Sequence, residues 1–297
     1  MSEKNKRIRS AVYVGAVESL FKCPICESTM HTVEFKSLIC ANHHTFDFTK
    51  QGSLNLLKQP VRSNYGKELF EYRRKLIVED KFFAPLSEKI TEVMEKQVMP
   101  ENEELFLLDT GTGEGSHFNN ICTDIQSSVN KSVIGIGIDI SKEGIQTAAK
   151  HYSNKIWCVA DLANMPFKDQ QFDVILNILS PSNYSEFNRL LKANGLVIKV
   201  VPRNGYLQEL REAFFDAPEK HLYSNAETVN RFNMNFQIQS SKQVRYTVNL
   251  DKASLASLVH MTPLAWSASK EKVRLFLEKE SVNVTVDLDI LIGRKTS

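Results

Sequence analysis

No stretch of roughly 18 apolar residues occurs in this 297-residue chain, so nothing in it reads as a membrane-spanning helix. Its opening, Met-Ser-Glu-Lys-Asn-Lys-Arg-Ile-Arg, carries charges with no apolar core behind them, unlike a secretory signal, and the cytoplasm is the expected address. An excess of one charge is missing too: 37 Lys and Arg stand against 35 Asp and Glu, a formal net charge of +2. Such a balance neither proves nor excludes nucleic-acid binding, because phosphate neutralisation depends on clustered cations and not on their total. Glycine (12) and proline (9) are too sparse for a fibrous or low-complexity protein, while 42% hydrophobic and 24% charged residues suit a chain that buries a core. No internal repeat is found. At about 150 residues per domain, the length allows one catalytic domain and a smaller appendage.

Cysteine is scarce, yet three of the five, Cys23, Cys26 and Cys40, lie close together near the start. In a reducing compartment that pattern favours a metal over a disulfide. Cys23-Pro24-Ile25-Cys26 is a C-x-x-C knuckle, and Cys40-Ala41-Asn42-His43-His44 adds a thiolate and two imidazoles. These are the ligand types that tetrahedral Zn²⁺ prefers, and four protein ligands would close a structural site. The expected set is Cys23, Cys26, Cys40 and His44, with His43 as the alternative fourth ligand. Cys122 and Cys158 fall in helix- or strand-like segments and read as small buried side chains.

The chain divides into residues 1–58, a cysteine- and histidine-bearing module with a lead-in helix or strand; 59–100, a linker and two amphipathic helices; and 101–297, the catalytic domain. Leu69, Tyr72, Leu76, Phe82, Phe83, Leu86, Ile90 and Val93 recur at three- and four-residue steps, as amphipathic helices require. Beyond Glu104, β-type runs at Leu105–Leu108, Val133–Ile138, Ile156–Val159, Val174–Ile178 and Leu196–Val200 alternate with helical stretches, which predicts a parallel sheet covered by helices on both faces. The alternating Val282–Ile292 predicts an antiparallel closing strand.

Three of the twelve glycines fall within five residues, in Leu108-Asp109-Thr110-Gly111-Thr112-Gly113-Glu114-Gly115, directly after a strand. Glycine has no Cβ and tolerates positive φ, so such a turn lets backbone approach a ligand closely. Its spacing is not the G-x-G-x-x-G of a dinucleotide-binding dehydrogenase. Asp139 ends the second strand, where a carboxylate can take both ribose hydroxyls of an adenosine. Asp161-Leu162 follows the third, placed to accept from the adenine amino group. Asp173 begins the fourth and reads as structural, and the glycines of Gly135-Ile136-Gly137 read as close-packing positions. Residues from Asp109 to about Val201 resemble the class I methyltransferases: an α/β, Rossmann-like domain using S-adenosylmethionine, with Asp109, Gly111, Gly113, Glu114, Gly115, Asp139, Asp161 and Leu162 as candidate cofactor contacts.

A more specific resemblance spans nearly the whole chain. Phe21-Lys-Cys-Pro-Ile-Cys26, Cys40-Ala-Asn-His-His44-Thr-Phe-Asp-Phe48, Arg73-Arg74, Phe83-Ala-Pro-Leu86, Met165-Pro-Phe167, Pro202-Arg203 and Met261-Thr-Pro-Leu-Ala-Trp266 are similar to the bacterial large-subunit rRNA guanine-N1-methyltransferases. The lead-in and Ser180-Pro-Ser-Asn-Tyr-Ser-Glu-Phe187 look most like their tylosin-resistance branch. The resemblance implies methylation of guanine N1 in a hairpin loop of 23S rRNA, a link to macrolide resistance, a structural Zn²⁺ in a module that binds RNA, a homodimer, and cofactor contacts at Gly113 and Glu114 together with Phe83 and Tyr206. Thr110 and Thr112 replace the family's usual Ile and Cys, and Ala193-Asn194-Gly195 replaces an expected Gly-Gly. These are small-residue changes, compatible with an intact cofactor site.

In-line methyl transfer needs guanine N1 held about 3 Å from the methyl carbon, and a carboxylate or backbone acceptor to help its proton leave. No general base is assigned. The Ser180–Asn183 loop and Trp266 are candidates to contact the base. Arg62, Lys67, Arg73, Arg74, Lys75 and Lys81 are candidates to line an RNA surface, although Glu68, Glu71, Glu79 and Asp80 lie among them. Sequence leaves two rivals: a class I methyltransferase acting on another RNA or a small molecule, and a non-catalytic RNA-binding protein.

Overall fold

A computed structural model describes residues 3–61, 65–97, 104–128, 132–216 and 223–295. Arg62, one of the candidate surface cations, lies outside them. The lead-in is a helix, α1 (Glu3–Ala16), whose Ala11 and Val14 are buried. A small antiparallel sheet follows, β1 (Met30–Val33), β2 (Ser37–Cys40) and β3 (Thr45–Asp47), with order β1-β2-β3. Then come the short β4 (Leu54–Asn55) and the two expected helices, α2 (Lys67–Val78) and α3 (Ala84–Gln97).

The catalytic part runs β5 (Glu104–Thr110), α4 (Ser116–Ser128), β6 (Ser132–Asp139), α5 (Lys142–His151), β7 (Ile156–Val159), β8 (Phe172–Ile178), α6 (Tyr184–Leu190) and β9 (Leu191–Pro202). It finishes with α7 (Gln208–Phe214), α8 (Ala226–Asn235), β10 (Phe236–Asp251), α9 (Lys252–Met261), α10 (Lys270–Leu277) and β11 (Ser281–Lys295). All five expected parallel strands form, and the sheet order is β10-β11-β9-β8-β5-β6-β7-β4. The closing strand β11 is antiparallel to both β9 and β10, as its alternation predicted. Its long hairpin partner β10 escaped the sequence reading because its residues are mostly exposed and polar, with no buried alternation to betray a strand.

The expectation of helices on both faces needs one correction. No helix connects β7 to β8, and the face left open there is covered by the N-terminal module. Phe21 and Lys22 reach back to Phe167 and Pro166: Phe21 bridges Phe167 with ring centroids 5.2 Å apart, and the Lys22 N–H donates to the Pro166 carbonyl at 3.1 Å. Strand β4 joins the sheet edge parallel to β7, Leu54 opposite Cys158. Buried Leu20, Phe21, Leu38, Leu54 and Leu56 therefore share one apolar cluster with Ile136, Ile138, Ile156, Phe167, Phe172 and Ile175. Each large side chain so buried contributes about 1.5–3 kcal/mol, enough to make the module part of the catalytic core. Among the described residues no helix is long and apolar enough to cross a membrane.

Candidate active site and metal centre

At the metal-ligand knuckle, Cys23, Cys26, Cys40 and His44 bring their ligand atoms within 4.8 Å of one another. The separations are 3.6 Å from Cys23 Sγ to His44 Nδ1, 3.6 Å between the Cys26 and Cys40 sulfurs, and 3.4 Å from Cys40 Sγ to His44 Nδ1. A tetrahedral Zn²⁺ with bonds of ~2.0–2.3 Å puts its ligands roughly 3.3–3.8 Å apart, and these three separations fall in that range. Hydrogen bonding, first from the Ser28 side chain, holds the Cys26 thiol down at about 5, favouring the thiolate a metal takes. His43 adopts φ +61° and is exposed, which leaves His44 as the fourth ligand. Cys122 and Cys158 are buried, and burial pushes both thiols up, the former to about 12.

The glycine turn lies at the carboxyl end of β5, where parallel strands leave a crevice. Gly111, Gly113 and Gly115 all have positive φ, +74°, +59° and +81°. A Cβ on Gly115 would sit 2.7 Å from Trp157 Cη2, and one on Gly111 would collide with the Ser180 hydroxyl. The turn is tied to the second strand by Gly111 and Thr112 N–H groups donating to the Ile138 carbonyl at 2.9 and 3.0 Å. Asp139 completes the tie: Oδ2 accepts from Gly113 N at 2.8 Å and Oδ1 from Ser141 N at 2.8 Å. Each of its oxygens keeps a lone pair, and burial raises its carboxyl against those donors. Gly135 and Gly137 pack as expected: a Cβ on Gly135 would sit 3.0 Å from Cys122 Sγ, and one on Gly137 would collide with the Trp157 ring.

Asp109 is 3% exposed, and burial raises its carboxyl to about 7 in spite of the nearby Arg73 cation. Glu114 is fully buried; one oxygen accepts from Ser116, and the other, Oε1, has no hydrogen-bond partner and stands 3.4 Å from Arg73 Nε. Arg73 Nε, apart from that ion pair, Thr112 Oγ1 and His117 Nδ1 are likewise buried without a hydrogen bond. Buried polar atoms that lack hydrogen bonds around one glycine turn, two of them facing each other as the Arg73–Glu114 ion pair, are unusual in a folded protein and mark a place shaped for a polar ligand. An α-amino acid zwitterion matches them: a cation for its carboxylate, a carboxylate for its ammonium. Phe83 walls the space, edge-on to His117 at 4.9 Å, and Tyr206, raised to about 12 mainly by burial, feels the Arg73 charge.

Arg73 is the residue that sequence reading misplaced. Expected among the surface cations, it is turned inward by α2, and its Cζ lies 3.6 Å from the Cβ position of Gly113. The signal available was weak: only its i,i+3 relation to buried Phe70 and Leu76 on one face of α2. Its companions are partly neutralised, Lys67 by Glu71 at 3.3 Å and Arg74 by Glu79 at 3.9 Å.

Asp161 stands exposed at the end of β7, capping its own turn by accepting from Ala163 N at 2.9 Å. The Leu162 carbonyl accepts from Asn183 at 3.0 Å, which joins this turn to the loop after β8. That loop rests on a buried network: Lys199, 3% exposed, donates to Asn177 Oδ1 and Ser182 Oγ at 2.6 Å and to the Ser180 carbonyl at 3.2 Å. Asn177 in turn donates to Thr110 Oγ1 at 3.0 Å and to the Pro181 carbonyl at 2.8 Å. Thr110, the departure from the usual isoleucine, is thereby satisfied. Asp173 is structural, bound to Phe106 N and Lys192.

Seven neighbouring strands of the eight-stranded sheet, in the order β10-β11-β9-β8-β5-β6-β7, with a glycine turn after β5 and acids ending β6 and following β7, define a class I methyltransferase that uses S-adenosylmethionine. The family model "Methyltransferase domain" matches residues 101–277, and "RlmA, N-terminal", a zinc ribbon, matches residues 21–65. A Bacillus subtilis (strain 168) protein named as a candidate 23S rRNA (guanine-N(1)-)-methyltransferase is 47% identical over 93% of this chain and 98% of its own. The 23S rRNA (guanine(748)-N(1))-methyltransferase of Streptomyces fradiae is 24% identical over 85% of this chain and 88% of its own. The chain belongs to the 23S rRNA (guanine-N1)-methyltransferase family and carries that family's zinc ribbon.

Proposed function

We propose that this protein transfers a methyl group from S-adenosylmethionine to N1 of a guanine in a hairpin loop of 23S rRNA. The observation that carries the substrate is the 47% identity, end to end, to a relative named for that reaction. The Streptomyces fradiae relative, named for guanine 748, supports the same base and atom.

S-adenosylmethionine supplies, when bound, a methyl group on a positively charged sulfur that is open to in-line attack. The chain's own task is to hold and align. Gly111, Gly113 and Gly115 let backbone close on the cofactor, and Arg73 with Glu114 and Asp109 matches its carboxylate and ammonium. Asp139 takes ribose on its spare lone pairs, Asp161 and the Leu162 backbone flank adenine, and Phe83 with Tyr206 excludes water. The Ser180–Asn183 loop, pinned by Lys199 and Asn177 against the glycine turn, presents the guanine. The zinc ribbon contacts RNA beside the same sheet edge. We place the protein in the cytoplasm, as a homodimer whose two ribbons flank one RNA.

Primer extension across 23S rRNA tests the assignment, because a methyl on guanine N1 blocks Watson–Crick pairing and stops reverse transcription. The stop should vanish in cells lacking the protein and return with the wild-type chain. A stop unchanged by deletion overturns the substrate.

A further inference from the structure

Two aromatic rings stand in solvent at the mouth of the cofactor crevice. Trp266 is 54% exposed and Tyr65 is 40% exposed, although they come from segments about 200 residues apart, and their centroids are 5.8 Å apart with planes at 45°. Tyr65 meets Phe70 edge-on at 6.3 Å. Phe70 is buried, and its ring lies 3.5 Å from the Cβ position of Gly113 and 2.9 Å from that of Gly144. The series Trp266, Tyr65, Phe70, Gly113 thus runs unbroken from solvent to the glycine turn.

Local structure fixes Trp266 in this position. It sits in a 3₁₀ turn, Pro263–Ser267, that follows α9, with Thr262 as N-cap and Pro263 presetting the first φ. Helix α9 packs along α2, where Tyr72 stacks on His260 at 4.8 Å, so the turn extends from a helix docked on the one that brings Arg73 to the glycine turn. The turn holds the indole outward beside Tyr65, so two neighbouring aromatic faces are left unburied.

We propose that Tyr65 and Trp266 form a stacking platform for an unpaired base of the RNA, next to the guanine that is methylated. The proposal rests on the reading of the protein as an RNA methyltransferase. A guanine that reaches the methyl group must leave its own stack, and its neighbour loses a stacking partner when it does. Aromatic faces replace that partner regardless of base identity, and the two planes at 45° form an open wedge instead of a closed aromatic pair. The platform holds the strand at the mouth while the Ser180–Asn183 loop receives the target.

The chain has two tryptophans, and the other, Trp157, is 2% exposed, so quenching by a bound base reports on Trp266. The probe is a synthetic RNA hairpin with a guanine in its loop, titrated against the full-length protein. Emission should fall on binding in the wild type and not in Trp266→Phe. Trp266→Ala and Tyr65→Ala should raise KM for the hairpin by roughly 5- to 150-fold, the range for loss of one base stack, while cofactor affinity by calorimetry stays unchanged. Trp266→Phe, which keeps a ring, should retain most of the affinity. Hairpin binding and methylation with unchanged emission, or alanine variants with wild-type KM, overturns the platform and leaves the enzyme's assignment standing. A wild-type protein that neither binds nor methylates the hairpin overturns both. An emission change that follows protein concentration without RNA assigns the rings to a second copy of the chain and also overturns the platform.

Discussion

Asp109→Asn should make the cofactor-free protein more stable and a worse binder of S-adenosylmethionine. Asp109 is 3% exposed, and burial lifts its carboxyl from 3.8 to about 7. At ~1.4 kcal/mol per tenfold, ionising it inside the fold costs about 4 kcal/mol relative to the unfolded chain. With the folded value above the unfolded one, the native state binds more protons between those two values, so wild-type stability falls as pH rises from 3.8 to about 7 and is flat above. Asparagine does not ionise, so the variant escapes that loss. Its amide must still find partners in a buried site, which takes back ~1–2 kcal/mol. The net gain at about pH 8 is therefore roughly 2–3 kcal/mol, and the gap between variant and wild type should widen by ~2 kcal/mol from about pH 5.5 to about pH 8. Urea unfolding at the two pH values measures it. Calorimetry should show cofactor binding weakened by at least about tenfold, since the cofactor ammonium loses a charged partner. A variant no more stable than wild type at the higher pH, or a gap that does not change with pH, refutes the reasoning.

Replacing Gly115 with Ala should cost about 2–4 kcal/mol, because φ there is +81° and the new methyl meets Trp157 at 2.7 Å and the Ala148 Cβ at 2.9 Å; an unfolding midpoint within error of wild type would contradict the packing described. Cys40→Ser should abolish zinc retention, measured by elemental analysis of the purified protein. Because the ribbon shares its core with β6, β7 and β8, the same change should lower the unfolding midpoint of the whole chain in a single transition. A catalytic domain that unfolds as before, with only the ribbon melting early, would show the two cores to be independent.

Much of the site was legible from sequence, for reasons that are local. A glycine turn needs glycines wherever φ is positive, and a metal knuckle needs its ligands a few residues apart, so Gly111, Gly113, Gly115 and the Cys23–Cys26 pair declare themselves in short windows. The ends of parallel strands are equally readable, because doubly covered strands are runs of Val, Ile and Leu, and this placed Asp139 and Asp161. The choice between His43 and His44 was not local: both are imidazoles in the right window, and only the left-handed φ at His43 directs one away from the sulfurs.

Sequence by itself determined the sheet's parallel strands, the turn that closes on the cofactor and the four metal-ligand types, since each depends on residues near one another in the chain. Only the tertiary structure decided three things. It turned Arg73 of α2 inward toward Glu114, 41 residues away, where one face of an amphipathic helix offered no sign of which cation would be buried. It set Lys199 under the Ser180–Ser182 loop, a contact between neighbouring strands that no periodicity encodes. And it spread the zinc ribbon over the part of the sheet where no helix joins β7 to β8, because the apolar surface exposed by a missing helix has to be covered by whatever the chain brings to it.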